Sequence, residues 1–365
     1  QERTVYLKKD YTDPVVFVQP LSYNETDAAV ARIIDVSSDR FKVKIQEDSG
    51  CDGEHAEETA SYMVFEKGRW MMPDNTQLLS GTVDTNDTVG SGFSSRFHEV
   101  ETTGPVFMDT PVVISQVQTL NDPYFVKTRL RRIEPSGFEV SLEEDKVKNS
   151  PHGAVETIGY IAVEPGEGEA GTHKYIFGKT PDQVDEHWFN LSFGGLDSVP
   201  GFLANPSSYD GGGNCALRYR NLGTESVGIM VQEDTSDGTG VGHTRETVDY
   251  LAITGQGVLT LPSFEDILPP ETVSMHPADG EKIHGDETVE FTLSDPYAEI
   301  DIQTVRESVT ITDENGTALD GTVSVTDGTF TFLPSSSPIP DGDYTLSFTA
   351  ADSNGNTRTR TTGFE

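Results

Sequence analysis

Hydrophobic and polar residues alternate with a period of two through short stretches of the chain, and turn-forming residues separate those stretches. Phe41-Lys-Val-Lys-Ile45 and Phe138-Glu-Val-Ser-Leu142 place every second side chain on one face, the pattern of a strand buried on one side and wet on the other. Tyr62-Met-Val-Phe-Glu66 and Tyr160-Ile-Ala-Val-Glu164 are more continuously apolar and predict strands covered on both faces. Gly137 and Ser37-Ser38-Asp39 mark hairpin turns. Further edge strands are expected around Val5-Tyr6-Leu7, His98-Glu-Val100 and His187-Trp-Phe189. No window sustains an apolar helical stripe, and none approaches the roughly 20 apolar residues needed to cross a bilayer. The fold class is all-β.

The same landmarks then recur three times in one order, a signature of internal repetition. Pro14-Val-Val-Phe-Val-Gln19, Pro111-Val-Val-Ile-Ser-Gln116 and Pro200-Gly-Phe-Leu-Ala-Asn205 each run from a proline through an apolar strand to a side-chain amide. Ala31-Arg32-Ile33, Thr128-Arg129-Leu130 and Leu217-Arg218-Tyr219 follow, with Phe41, Phe138 and Val227 nine positions after each arginine. The next strand ends in Gln46-Glu47-Asp48, Glu143-Glu144-Asp145 or Gln232-Glu233-Asp234. After a polar loop come His55 with Glu58-Thr59, His152 with Glu156-Thr157 and His243 with Glu246-Thr247, and then Tyr62, Tyr160 and Tyr250. Each copy is read as a small antiparallel β-sandwich of five or six strands. The copies are placed at 1–81, 82–178 and 179–262.

A proline-bearing linker is expected over 263–271. Beyond it, His276-Pro-Ala-Asp-Gly280, Val289-Glu-Phe-Thr-Leu293 and Tyr344-Thr-Leu-Ser-Phe348 predict a seven-strand sandwich over 272–365. That segment resembles the Ig-like modules of bacterial and archaeal surface proteins.

Charge narrows the partners. Sixty-one acidic residues face 25 basic ones, a net charge of −36 spread over every segment. Such a body repels nucleic acid and anionic lipid. It suits an extracellular or cell-surface protein in high salt, with no membrane insertion. Gln1 is expected to be a processed or otherwise defined start. Glycosylation sequons at Asn24, Asn86, Asn190 and Asn315 agree with secretion, though chance alone would supply a couple.

The arginine motif with its following turn and apolar tyrosine strand resembles the H-type lectin family, in three tandem copies covering about three quarters of the chain. That resemblance implies six-stranded sandwiches that assemble as trimers and bind N-acetylgalactosamine-type sugars in clefts between protomers. It places the sugar-contacting role on Arg32, Arg129 and Arg218. Where the family carries an aromatic-His contact, this chain has Gln46-Glu47, Glu143-Glu144 and Gln232-Glu233, and its histidines lie in a longer loop. Three linked copies of a trimerising domain imply a pseudo-trimeric ring within one chain, with ligand grooves at the seams. In such a ring Cys51 and Cys215 would meet across the closing seam as a disulfide; two unpaired thiols are the alternative.

The candidate ligand residues are therefore Arg32, Arg129, Arg218, Glu47, Glu144, Glu233, His55, His152 and His243. Each has a plainer reading. The arginines serve equally as interface partners of Glu47, Glu144 or Glu233 on a neighbouring copy. The His/Glu pairs have variable spacing and no helical geometry, which favours structural hydrogen bonding over a metal. Glu143 and Glu144 are adjacent on a strand, point to opposite faces and cannot flank one glycosidic bond. No nucleophile elbow or phosphate loop occurs, so no enzyme is expected. Asp313-Glu-Asn-Gly316 and Asp352-Ser-Asn-Gly355 carry oxygen ligands of the kind Ca²⁺ takes, or are simply glycine turns. Trp70 and Trp188, at nonequivalent places, are read as packing residues before sugar platforms. The functions left are carbohydrate binding or adhesion to a glycan or cell-surface polysaccharide, and self-assembly as a structural subunit of a surface layer, filament or virion.

Overall fold

A computed structural model describes the chain except residues 1, 91–92, 103–106, 149, 239–241, 264–268, 285–286, 296–297, 327 and 337. Gln1 and most of the expected linker thus lie outside the described residues. The chain divides into two units, one holding Gln1–Thr102 and Phe107–Phe264, the other Thr103–Val106 and Glu265–Glu365.

In the first unit each arginine lies on a strand paired antiparallel with the strand that follows it: Ala29–Val36 with Arg40–Glu47, Val126–Glu134 with Gly137–Glu144, and Cys215–Arg220 with Ser226–Glu233. A short edge strand adds to the far side of each pair, at Glu2–Tyr6, His98–Glu101 and Phe189–Ser192. The proline strands form the opposing layer with the tyrosine strands: Pro14–Phe17 with Met63–Glu66, Val112–Val117 with Glu156–Val163, and Gly201–Pro206 with Val248–Ile253. Two hairpins straddle the expected copy boundaries. Gly68–Met71 and Gln77–Thr85 extend the second copy's layer, and Gly166–Ala170 and His173–Lys179 extend the third's.

Alternation decides where each apolar side chain goes. In the proline strand of the first copy, Val16 and Val18 face that copy's own core. Val15 and Phe17 face the other way, into a core they share with Val112 and Ile114 of the second copy and Leu203 of the third. The second copy sends Val113 and Val117 inward, and the third sends Phe202 and Ala204. The sandwiches are therefore packed on one another through their proline layers. Gly159 marks how close this packing is: a Cβ there would lie 2.6 Å from Val15 Cγ1 and 2.8 Å from the Gln118 amide.

Side-chain oxygens, most of them of amides, replace strand pairing at these contacts. Gln118 Oε1 and Gln116 Oε1 accept from Val16 N (2.9 Å) and Val18 N (2.7 Å) of the first copy. Asp249 Oδ2 and Asn205 Oδ1 of the third copy accept from Val113 N (2.7 Å) and Ser115 N (2.9 Å) of the second. Ser61 Oγ of the first copy accepts from Phe202 N of the third, at 2.9 Å. Backbone groups that would be left unpaired at three buried sheet edges are satisfied in this way.

Among its described residues the second unit has seven strands, from Glu271–His276 to Thr357–Phe364, around a core containing Phe291, Phe330 and Phe348. Its helix, Ile302–Ser308, is an addition to the expected strands; Asp301 caps it and only Val305 is buried.

Candidate functional site

The strand register explains where the three arginines go. Ala29, Ala31 and Ile33 face the core of the first copy, so Arg32 faces away from it. Arg218 likewise lies opposite Cys215, Leu217 and Tyr219. On an isolated sandwich these guanidinium groups would meet water. Here a neighbouring copy covers them, and Arg32, Arg129 and Arg218 are each no more than 1% exposed.

Each buried arginine donates to a glutamate of the next copy. Arg32 Nη2 lies 2.8 Å from Glu156, Arg129 Nη2 2.8 Å from Glu246 and Arg218 Nη2 2.7 Å from Glu58. The pairs thus run from first copy to second, second to third and third to first. The receiving carboxylates also organise their own loops. Glu58 accepts from Ser22 Oγ and Asn24 N, Glu156 from Thr119 Oγ and Asn121 N, and Glu246 from Ser208 Oγ and Asp210 N. A residue type repeated three times here maintains three contacts of one kind.

Histidine extends each pair into a chain. His55 lies between Glu47 (2.9 Å) and Glu58 (3.3 Å), His152 between Glu144 and Glu156 (3.3 Å), and His243 between Glu233 (2.8 Å) and Glu246 (3.1 Å). Burial works against the His243 cation, but Cys215, Glu246 and Glu233 around it outweigh that and push its pKa up to about 10. Glu156 is opposed by burial too, yet His152, Thr119 and Arg32 hold its carboxyl down at about 2. Burial lowers the Arg32 and Arg218 values from the ordinary one, against the pull of Glu156 and Glu58.

The expected arginine partners need correction. Glu47, Glu144 and Glu233 bind the histidines; the cross-copy acceptors are Glu58, Glu156 and Glu246, which lie nearer the seam. Glu143 is set apart from Glu144 by strand alternation and contacts Lys127 (2.6 Å) and Arg129 (3.2 Å) of its own copy. The nine candidate ligand residues are bound up with protein: the arginines reach a neighbouring copy's glutamate and the histidines a glutamate of their own copy, although Arg32 Nε and Nη1, Arg129 Nε and Glu144 Oε2 are buried without a hydrogen-bond partner among the described residues.

The expected Cys51–Cys215 bridge is absent and both thiols are free. Cys215 is three residues before Arg218, an odd separation, so it faces the third copy's core while Arg218 faces Glu58 of the first copy. Cys51 instead donates to Asp48 Oδ1 at 3.4 Å, and burial together with that carboxylate raises its pKa to about 12.

A third set of contacts was not read from the sequence. Asp48, Asp145 and Asp234 are buried, and each accepts a backbone N–H from another copy: Thr235 N (2.9 Å), Ser49 N (3.1 Å) and Lys146 N respectively. Their recurrence after Gln/Glu-Glu was visible, but nothing local marked them as bridging. A cavity of about 50 Å³, lined by Gln19, Gln116 and Asn205 from the three copies, has room for a few waters.

At the surface, two seams carry an aromatic pair with an arginine stacked on it. Tyr23 of the first copy meets Trp188 of the third edge-on at 5.4 Å, with the Arg220 guanidinium 4.2 Å above the Trp188 ring. Phe97 of the second copy meets Tyr209 of the third at 5.4 Å, with Arg131 at 3.7 Å over Phe97. Trp188 is thus a seam residue, whereas Trp70 packs in the shared core and donates to Glu66 O at 2.8 Å.

Asn24, Asn86, Asn190 and Asn315 are all exposed. In the second unit the Asp313 and Asp352 carboxylates accept from turn amides, Asp313 from Asn315 N and Thr317 N, Asp352 from Asn354 N and Asn356 N. Gly316 and Gly355 supply the positive φ those turns need. These carboxylates have an evident turn role, which weakens the case for calcium there. Among the described residues no helix is long and apolar enough to cross a membrane.

Two comparisons bear on this architecture. Residues 266–365 match the bacterial Ig-like domain family. Over 262 residues, 68% of the chain, the sequence is 33% identical to halomucin of Haloquadratum walsbyi (strain DSM 16790 / HBSQ001). The chain spans about 3% of that protein's length.

Proposed function

We propose that this chain is part of a non-enzymatic, extracellular surface protein, in which three lectin-like copies close into a pseudo-threefold head followed by an Ig-like spacer. The head is structural: it is a rigid building element of a cell-surface coat. The observation that carries this reading is the cyclic set of buried Arg–Glu pairs, 32 to 156, 129 to 246 and 218 to 58. It removes from solvent the residues that an H-type lectin would turn towards sugar. A net charge of −36 suits a coat bathed in high salt, where repulsion between exposed carboxylates is screened. The likeness to halomucin and the Ig-like match support a place at the cell surface.

Carbohydrate binding is the second reading, and the Tyr23–Trp188–Arg220 group favours it, because an aromatic face beside a guanidinium suits a sugar ring and its hydroxyls. A glycan array at molar KCl, run with wild type and Trp188→Ala, separates the two. The structural reading expects no retained glycan with either protein. Retention by wild type that drops at least ten-fold in Trp188→Ala would replace it with the binding reading.

A further inference from the structure

We propose that the loop of the first copy holds a transition-metal dication of the Zn²⁺ class, through Glu25, Glu47 and His55 with Cys51 completing the set. Ligand atoms of Glu25, Glu47 and His55 lie within 4.8 Å of one another, and so do those of Asp27, Glu47 and Cys51. Glu47 belongs to both triads. His55 Nδ1 is 2.9 Å from Glu47 and 3.5 Å from Glu25, while its Nε2 faces Glu58 at 3.3 Å. That arrangement lets Nε2–H donate to a buried carboxylate and leaves Nδ1 as the ligand, the usual support of a metal-bound imidazole. Tetrahedral donors about 2.0–2.3 Å from zinc stand roughly 3.3–3.8 Å apart, so the Glu25–Glu47–His55 triad needs to draw in, and Cys51, which shares only Glu47 with that triad, must leave Asp48 and turn towards it. Imidazole, carboxylate and thiol together select a borderline-soft dication over calcium or magnesium.

The other two copies supply the independent argument, because each places an ammonium on the carboxylate that corresponds to Glu47. In the second copy Lys148 Nζ lies 3.0 Å from Glu144 and 3.9 Å from Asp122, the counterparts of Glu47 and Glu25. In the third, Glu233 receives Lys146 Nζ from the second copy at 2.9 Å. The first copy has Cys51 where the second has Lys148, and the third copy offers it Thr235 where the second offers Lys146. Among the described residues no lysine or arginine pairs with Glu47. Glu25 is the partly open member, with 31% of its side chain exposed, and gives the ion its way in.

Zinc titration of the full chain against a chromophoric chelator in molar KCl tests this, with cobalt as the spectroscopic probe. The expected result is one tight site per chain, weakened more than ten-fold in Glu47→Gln and in Cys51→Lys and unchanged in Cys215→Ser. The cobalt form should show a near-ultraviolet thiolate band that Cys51→Ser abolishes. Cys51→Lys copies the second copy's own solution, and an unchanged metal-free denaturation midpoint verifies that it folds. No stoichiometric binding, binding undiminished in Cys51→Lys, or loss confined to Cys215→Ser (whose thiol neighbours His243 and Glu246) would each overturn the proposal.

Discussion

Arg129→Ala is expected to lower the unfolding free energy of the first unit by about 3–5 kcal/mol, the usual cost of leaving a buried charge without its partner. Arg129 engages Glu246 of the third copy, Glu143 of its own copy and the carbonyls of Gly211 and Gly213, and its guanidinium lies 4.7 Å over the Tyr209 ring. Removing it takes the guanidinium from two buried carboxylates at once, leaving Glu143 to Lys127 and Glu246 to His243 and its loop donors. Arg129→Lys should recover only part of the loss, because one ammonium cannot span a planar fork with acceptors on several sides. The effect should persist in molar salt, since screening weakens exposed pairs far more than buried ones. Tryptophan fluorescence during chemical denaturation reads it cleanly: Trp70 and Trp188 are the chain's only tryptophans, and both lie in the first unit. A loss under 1 kcal/mol would mean that the seam is open to water.

Stability of that unit should also peak in mildly acid solution and decline on both sides. Glu156 has a folded pKa of about 2 against an ordinary 4.5. The stability it contributes is therefore present above pH 4.5 and is lost as pH falls from there towards 2. His243 is raised from 6.5 to about 10, so its contribution is complete below pH 6.5 and is lost as pH rises through 10. Both contributions are present between about pH 4.5 and 6.5. When fully developed the acid limb is on the order of 3 kcal/mol and the alkaline limb on the order of 5 kcal/mol. Buried Asp234 and Asp249, whose pKa values burial raises, titrate with the opposite sign on the acid side. The acid limb is accordingly read as the difference between wild type and Glu156→Gln, and the alkaline limb as the difference from His243→Gln. A variant whose pH profile parallels that of wild type would show that its group carries no linked proton.

Much of this was legible in the residues, for a definite reason. The doubly apolar tyrosine strands implied cover on both sides, which Ile161, Ala162 and Val163 have, whereas Met63–Glu66 is only half-buried and Tyr62 is exposed. What covers the arginines was not legible locally, because the acceptors Glu156, Glu246 and Glu58 lie on other copies, far along the chain. The recurring Glu47, Glu144 and Glu233 looked equally suited, and only three-dimensional placement assigned them to histidine. The cysteine pairing failed on one residue of strand parity. The helix Ile302–Ser308 gave little signal, since a seven-residue helix with one buried side chain has no stripe to read. The lysines of the second copy stood out only once Lys148 and Lys146 could be compared with Cys51 and Thr235 in space.

The most direct test of the whole account is a double-mutant cycle between Glu58 and Arg218, the pair that joins the first copy to the third, followed by tryptophan fluorescence in denaturant. Closure of the three copies predicts that Glu58→Gln and Arg218→Met are strongly non-additive, with a coupling of about 2 kcal/mol. Single losses that simply add, within about 0.5 kcal/mol, would mean that these two side chains do not meet in solution and that the head is not closed.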